Sequence, residues 1–102
     1  MPYTEAQIRN RALVALAAAP KGRLTTTALI DELTDEMKPT GRDLMLGENR
    51  QDTLFSQKVR NLVSHRNQGS GLEARGLATY LPQYEGWEIT PAGVTLANSI
   101  NP

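Results

Sequence analysis

The side chains of this sequence that are best suited to chemistry gather in one stretch, FSQKVRNLVSHRN, at residues 55–67. The stretch contains two arginines, one lysine and the chain's single histidine, His65, and it contains no acidic residue. A catalytic histidine needs a carboxylate that orients it, and a metal site needs several His, Cys, Asp or Glu ligands. The chain has no cysteine and no acid close to His65 in sequence. We therefore expect no catalytic site, no metal and no cofactor in this chain, which also lacks the common phosphate-loop and hydrolase motifs.

The same stretch divides into two faces when it is drawn as a helix with about 100° per residue. The apolar face predicts a core contact and consists of Phe55, Val59, Leu62 and Val63. The opposite face is polar and consists of Gln57, Arg60, Asn61 and Ser64. Arginine pairs with the acceptors of guanine, asparagine and glutamine pair with adenine, and serine suits either base. The polar face is therefore predicted to read bases in the major groove of double-stranded DNA; the alternative is a solvated helix face.

Other side chains are suited to the phosphate backbone, which positions a protein on DNA without specifying a sequence. They lie on the flanks of the same helix, in the loops around it and in a later turn. The predicted backbone contacts are Arg42, Arg50, Ser56, Lys58, His65, Arg66 and Tyr84. For each arginine, the alternative is an ordinary surface residue.

Four helices are predicted to position these residues. The first runs from about Thr4 to Ala19 and begins with a capping box of Thr4 and Gln7. The second covers about Thr26–Met37, and its apolar face consists of Leu29, Ile30, Leu33 and Met37. The third covers about Asp52–Arg66, with Asp52 or Asn49 as its N-cap. The fourth begins with Thr90 as the cap and Pro91 in the first helical position.

Three short strands complete the predicted order of elements. They are Arg23–Thr25, Leu77–Leu81 and Trp87–Ile89, and the last two flank a turn that contains Pro82 and Gly86. The order of helices and strands predicts a mainly α fold with a small sheet, namely a winged helix-turn-helix. It would have three core helices, a three-stranded antiparallel sheet with one wing near residues 83–86, and a C-terminal helix. Residues 1–102 are expected to form a single domain.

Composition and charge restrict the class of protein further. No apolar run reaches the roughly 18 residues of a membrane span, and the N-terminus lacks the pattern of a signal peptide. The absence of cysteine is typical of a reducing cytoplasm, and no membrane partner is expected. The 11 basic and 11 acidic residues cancel, which disfavours a chromatin-type protein. The charges are segregated, however, because the segment DELTDE (Asp31–Glu36) contains four acids and no base.

The segments FSQKVRNLVSHRN, RGLATY and GWEITPAG carry a resemblance that covers roughly residues 47–96. They resemble the small winged-helix modules of bacterial and archaeal restriction endonucleases, including the Mrr N-terminal type and modules fused to HNH or PD-(D/E)xK nucleases. The matching residues are Phe55, Val59, Arg60, Leu62, Gly76, Leu77, Trp87, Ile89, Thr90 and Gly93. The resemblance implies a non-enzymatic specificity module, excised from a larger prokaryotic protein with a nuclease domain. It also implies a cytoplasmic location, associated with the nucleoid when bound.

Some modules of this kind are similar to the winged-helix half of enzymes that cut DNA containing N6-methyladenine. The resemblance therefore implies that methylated adenine is read. A methyl group in the major groove requires an apolar wall beside the polar base contacts. The residues that offer such a wall are Met45, Leu46, Leu54 and Trp87, and the sequence does not choose among them. For Trp87, core packing is the competing interpretation.

Two alternatives to a restriction module stay open at this point. One is a winged-helix transcription regulator, which would need a dimer surface and palindromic half-sites. The other is a protein-interaction winged helix that uses its acidic second helix or its wing.

Overall fold

Four α-helices and three strands form the parts of the chain that the computed structural model describes, residues 3–41, 53–69 and 71–100. In chain order they are α1 (Glu5–Ala18), β1 (Arg23–Thr25), α2 (Thr26–Met37), α3 (Leu54–Ser64), β2 (Ala78–Leu81), β3 (Gly86–Ile89) and α4 (Pro91–Ile100). The predicted mainly helical fold with a small antiparallel sheet is confirmed. Within the described ranges no helix is long and apolar enough to span a membrane.

The predicted capping box begins α1. The Gln7 amide donates to the Thr4 hydroxyl at 3.1 Å, and the Thr4 amide donates to the Gln7 side chain at 2.8 Å. These two bonds satisfy amides that the first turn of a helix leaves without partners. The inward face of α1 is fully buried at Ile8, Leu13 and Leu16, so this helix forms one wall of the core.

The second helix is capped by Thr25, whose hydroxyl accepts a hydrogen bond from the Ala28 amide at 3.1 Å. It ends at Lys38, which adopts the left-handed conformation with a φ of 48°. Its predicted apolar face is confirmed, because the side chains that turn inward are Leu29, Ile30, Leu33 and Met37.

The third helix is shorter than predicted at both ends. Its N-cap is Thr53, whose hydroxyl accepts from the Ser56 amide at 3.1 Å; the predicted caps Asp52 and Asn49 lie outside the described residues. The helix ends at Ser64 rather than Arg66, because the Arg66 amide bonds to the Val63 carbonyl at 3.3 Å in a tighter turn. Before the start of α3, several residues whose side chains can cap a helix lie close together in the sequence, and helical periodicity cannot select among them.

The sheet has the strand order β1-β3-β2, and both neighbouring pairs are antiparallel. Trp87 occupies the central strand, opposite Leu24 on one side and Tyr80 on the other. The strand limits differ slightly from the predicted ones, since β2 begins at Ala78 and β3 includes Gly86. A side chain at Gly86 would overlap the backbone of Leu24, so this position requires glycine for β1 and β3 to pair.

The last helix begins as predicted, because the Thr90 hydroxyl accepts from the Gly93 amide at 3.1 Å and donates to the Leu77 carbonyl at 2.9 Å. Gly93 approaches the same Leu77 carbonyl so closely that a Cβ atom would overlap it. The glycine therefore lets α4 reach the start of β2, while Ala97 is buried in the core beyond it.

We predict that Gly93→Ala lowers the free energy of unfolding by about 1–3 kcal/mol, because the added methyl forces α4 away from Leu77. Chemical denaturation monitored by circular dichroism measures the change. Gly69→Ala is the matched control, since no atom of another described residue beyond its chain neighbours lies within 4 Å of its Cβ position, and its stability is expected to stay unchanged or rise slightly. An unchanged stability of Gly93→Ala would contradict the close approach of α4.

Candidate nucleic-acid interface

The polar side of α3 forms a continuous exposed surface. Four side chains line one shallow depression on it, and we call them the outer face of α3: Gln57, Arg60, Asn61 and Ser64. The last three are exposed and Gln57 is half-buried. On the other side of the helix, Phe55 and Val59 are fully buried. The predicted division of α3 into two faces is therefore present, with Val63 half-buried at the boundary.

A second depression extends this surface to the start of α2 and to the hairpin of β2 and β3. It is lined by Thr25, Thr26, Thr27, Arg60, Val63, Ser64, Tyr80 and Glu85. Arg60 and Ser64 belong to both depressions, so the outer face of α3 continues into this groove. The first turn of α2 presents the positive end of its dipole there, together with the exposed residue Thr27, and that combination suits an anion such as a phosphate.

Sequence reasoning missed six of these lining residues as site residues: Thr25, Thr26, Thr27, Val63, Tyr80 and Glu85. Only the threonines offered a signal, because Thr25 ends a short strand and is followed by two further threonines, which is typical of a helix start. The others come from α3, β2 and the hairpin turn, and tertiary packing alone brings them beside Arg60.

The hairpin turn is short and is attached to α2. The Tyr84 amide donates to Leu81 at 3.0 Å, and the Glu85 amide donates to Pro82 at 3.2 Å. The Glu85 carbonyl in turn accepts a hydrogen bond from the Thr26 amide at 2.8 Å. Tyr84, a predicted phosphate contact, is 42% exposed at the tip, and its ring is accessible to a partner.

Two of the predicted phosphate contacts are engaged in helix packing. The Ser56 hydroxyl accepts a hydrogen bond from the hydroxyl of the cap Thr53 at 3.1 Å. The Lys58 ammonium donates to the Tyr3 carbonyl at 2.9 Å and so connects α3 to the start of α1. Neither side chain lines the depressions beside Arg60.

His65 has an acidic neighbour after all. Its Nδ1 lies 2.8 Å from the Glu5 carboxylate, which also pairs with Arg9 at 3.1 Å. The absence of a nearby acid holds only along the sequence, because the fold brings α1 against the end of α3. Within residues 3–41, 53–69 and 71–100, no group of three or more His, Cys, Asp or Glu side chains is placed to hold a metal ion. The pair joins two helices, and the carboxylate opposes the approach of a phosphate to His65.

Arg66 is likewise committed to the fold. Its guanidinium donates to the Val63 carbonyl at 2.7 Å, lies 3.4 Å from the Glu73 carboxylate and sits 5.2 Å from the centre of the Tyr80 ring. These contacts close the end of α3 and fasten the following loop to β2. Arg66 therefore has a structural role, and its phosphate contact stays a prediction.

The predicted methyl-contacting residues fall into three groups. Trp87 has no exposed surface, so its packing interpretation is confirmed and it cannot form a wall for a bound base. Leu54 is half-buried on the flank of α3 and keeps some apolar surface. Met45 and Leu46 lie outside the described residues, as do the predicted backbone contacts Arg42 and Arg50.

Comparisons with known protein families, with curated proteins and with solved structures find no match to this chain. Its function has to be inferred from the residues of this surface.

We predict that Arg66→Ala lowers the free energy of unfolding by about 1 kcal/mol, because it removes the hydrogen bond to Val63 and the contact with the Tyr80 ring. Its partly exposed ion pair with Glu73 adds little to that loss. Thermal denaturation of Arg66→Ala beside Arg75→Ala tests the role, because Arg75 is an exposed arginine of the same loop. Equal stabilities of the two variants would contradict it.

Proposed function

We propose that this chain is a winged helix-turn-helix domain that binds double-stranded DNA with the outer face of α3. The observation that carries the proposal is the composition of that face, where arginine, asparagine, glutamine and serine are the described residues that line one exposed depression. The order of elements supports it, since a helix, a strand, two helices, a hairpin and a helix follow one another. In a helix-turn-helix the second helix of the pair enters the major groove, and α3 is that helix here.

Each side chain of the outer face then has an expected partner among the DNA bases. Arg60 pairs with a guanine through O6 and N7, while Asn61 and Gln57 pair with adenines. Ser64 adds a hydroxyl that suits either base. The first turn of α2, with Thr27, lies along the same surface and contacts a phosphate that flanks the bases, and the exposed hairpin residue Tyr84 contacts a further phosphate.

The net charge of zero is compatible with this interface because the charges are separated in space. Four acids lie on the exposed side of α2, at Asp31, Glu32, Asp35 and Glu36. None of them lines the depressions that contain Arg60. Among the described residues that line the groove beside Arg60, the acid is Glu85, and its carboxylate suits the amino group of a cytosine better than a phosphate.

We further propose that the domain is the specificity module of a modification-dependent restriction endonuclease and recognises N6-methyladenine. This step rests on the resemblance of the α3 and hairpin segments to such modules. Leu54 and Val63 border the helix face and are the described side chains whose apolar surface suits a methyl group. Val63 also lines the groove beside Arg60.

Arg60→Ala and Asn61→Ala are each expected to weaken binding to the preferred duplex by about 1–3 kcal/mol and to relax base preference at one position. Fluorescence anisotropy with a duplex selected from a randomised library, measured over a salt series, gives the affinities. Arg75→Ala controls for the loss of one exposed positive charge outside the surface. If Arg60→Ala weakened every duplex equally, base reading by Arg60 would be ruled out.

The methyl proposal has a separate test. A duplex with N6-methyladenine in the selected site is expected to bind about fourfold more tightly than the unmodified duplex, as burial of one methyl group against an apolar wall predicts. The same site with methylated cytosine is expected to give no gain. Val63→Thr keeps the shape of the wall but adds a hydroxyl, and it should reduce the preference. Equal affinities for the three duplexes would contradict the recognition of N6-methyladenine but would leave the proposal of DNA binding unaffected.

A further inference from the structure

A separate groove, which does not include Arg60, lies between α1 and α2, away from the outer face of α3. Its floor is apolar, formed by Val14 and Ala18 of α1, Pro20 and Leu24. One edge is formed by Glu32 and Glu36 of α2. We call this surface the α1–α2 groove. The small side chain of Ala18 leaves its floor open, and both Val14 and Leu24 are only half-buried there.

The acids beside the groove repel one another. Asp31 and Asp35 are four residues apart, as are Glu32 and Glu36, and like charges at this spacing destabilise a helix. Two of these acids also lie in the last turn of α2, where the helix dipole disfavours negative charge. No basic residue occurs between Thr26 and Met37. Folding of α2 alone gains nothing from this arrangement.

Neutralisation by the described part of the chain is slight. Arg11 approaches Glu36 at 3.8 Å, with side chains that are 42% and 40% exposed, so water screens the pair. Asp31, Glu32 and Asp35 form no ion pair with any described residue. Lys21 and Lys38 are exposed near the ends of the two helices but do not line the groove. The groove edge therefore keeps a negative potential.

We propose that the α1–α2 groove docks a basic amphipathic segment of a partner protein. Apolar side chains of the segment would cover Val14, Ala18 and Leu24, and its lysines or arginines would pair with Glu32 and Glu36. This is the manner in which an amphipathic helix binds a groove with a charged edge. Nucleic acids and anionic lipid surfaces are repelled by the same acids, and a small cation alone leaves the apolar floor uncovered.

The groove and the outer face of α3 share no lining residue. One surface can therefore hold a protein segment while the other is occupied, and the groove does not depend on the proposed DNA binding. A partner held there would be brought to the DNA with the domain.

A synthetic amidated helical peptide of leucine, alanine and lysine, with its leucines at i, i+3, i+4 and i+7, is the probe. Titration of the ¹⁵N-labelled protein is expected to give saturable binding below about 1 mM. The shifted amides are expected at Val14, Ala18, Leu24 and Glu32. A peptide with glutamate in place of each lysine should bind at least about tenfold more weakly, since like charges then meet at the groove edge.

Substitutions in and beside the α1–α2 groove test where the peptide binds. Glu32→Gln and Glu36→Gln should each weaken the lysine peptide about threefold, and Ala18→Gln should weaken it further by filling the floor. Asp31→Asn controls for charge on the same helix outside the groove, and Ala6→Gln controls for an exposed alanine of α1. Both controls should bind as the parent protein does.

Three results would overturn the proposal. The first is that the two peptides bind equally or that neither binds saturably. The second is that the amide shifts are confined to α3 or the hairpin. The third is that Asp31→Asn weakens peptide binding as much as Glu32→Gln does. Arg60→Ala separates this proposal from DNA binding, because that variant is expected to lose duplex affinity while its peptide affinity is unchanged.

Discussion

Burial of Trp87 on the central strand is the constraint on which the rest of the structure depends. The strand β3 pairs with β1 on one side and β2 on the other, and β1 lies between α1 and α2 in the chain. The Trp87 ring is fully buried and packs edge-on against the Tyr80 ring, with 5.4 Å between the two ring centroids. Its burial therefore joins the hairpin to the helical core. Among the described residues the buried indole N–H has no hydrogen-bond partner, so ring burial has to offset the lost hydrogen bond to water.

Local features were predictable from the sequence, because their causes lie within a few residues. The capping box at Thr4 and Gln7, the buried face of α2 and the start of α4 at Thr90 all follow from side chains that meet within one or two turns. The two faces of α3 followed from helical periodicity for the same reason. The ends of α3 did not, since competing caps preceded it and the turn at its end depends on Arg66.

Contacts between distant parts of the chain account for what could not be predicted. His65 and Glu5 are 60 residues apart in sequence, and no pattern along the chain pairs them. Arg66 has the charge of a phosphate contact, yet Glu73 and Tyr80 hold it against the fold. The same limit explains why Tyr80 and Glu85 were missing from the expected surface, although the four side chains of the outer face were proposed from spacing alone.

The hydrogen bond from the Thr26 amide to the Glu85 carbonyl has a further consequence. It fastens the hairpin turn to the first turn of α2, and the contact of Gly86 with β1 leaves no room for a side chain between them. The hairpin turn and the start of α2 are therefore held together by backbone contacts, and a surface that is already ordered loses less backbone entropy when a partner covers it.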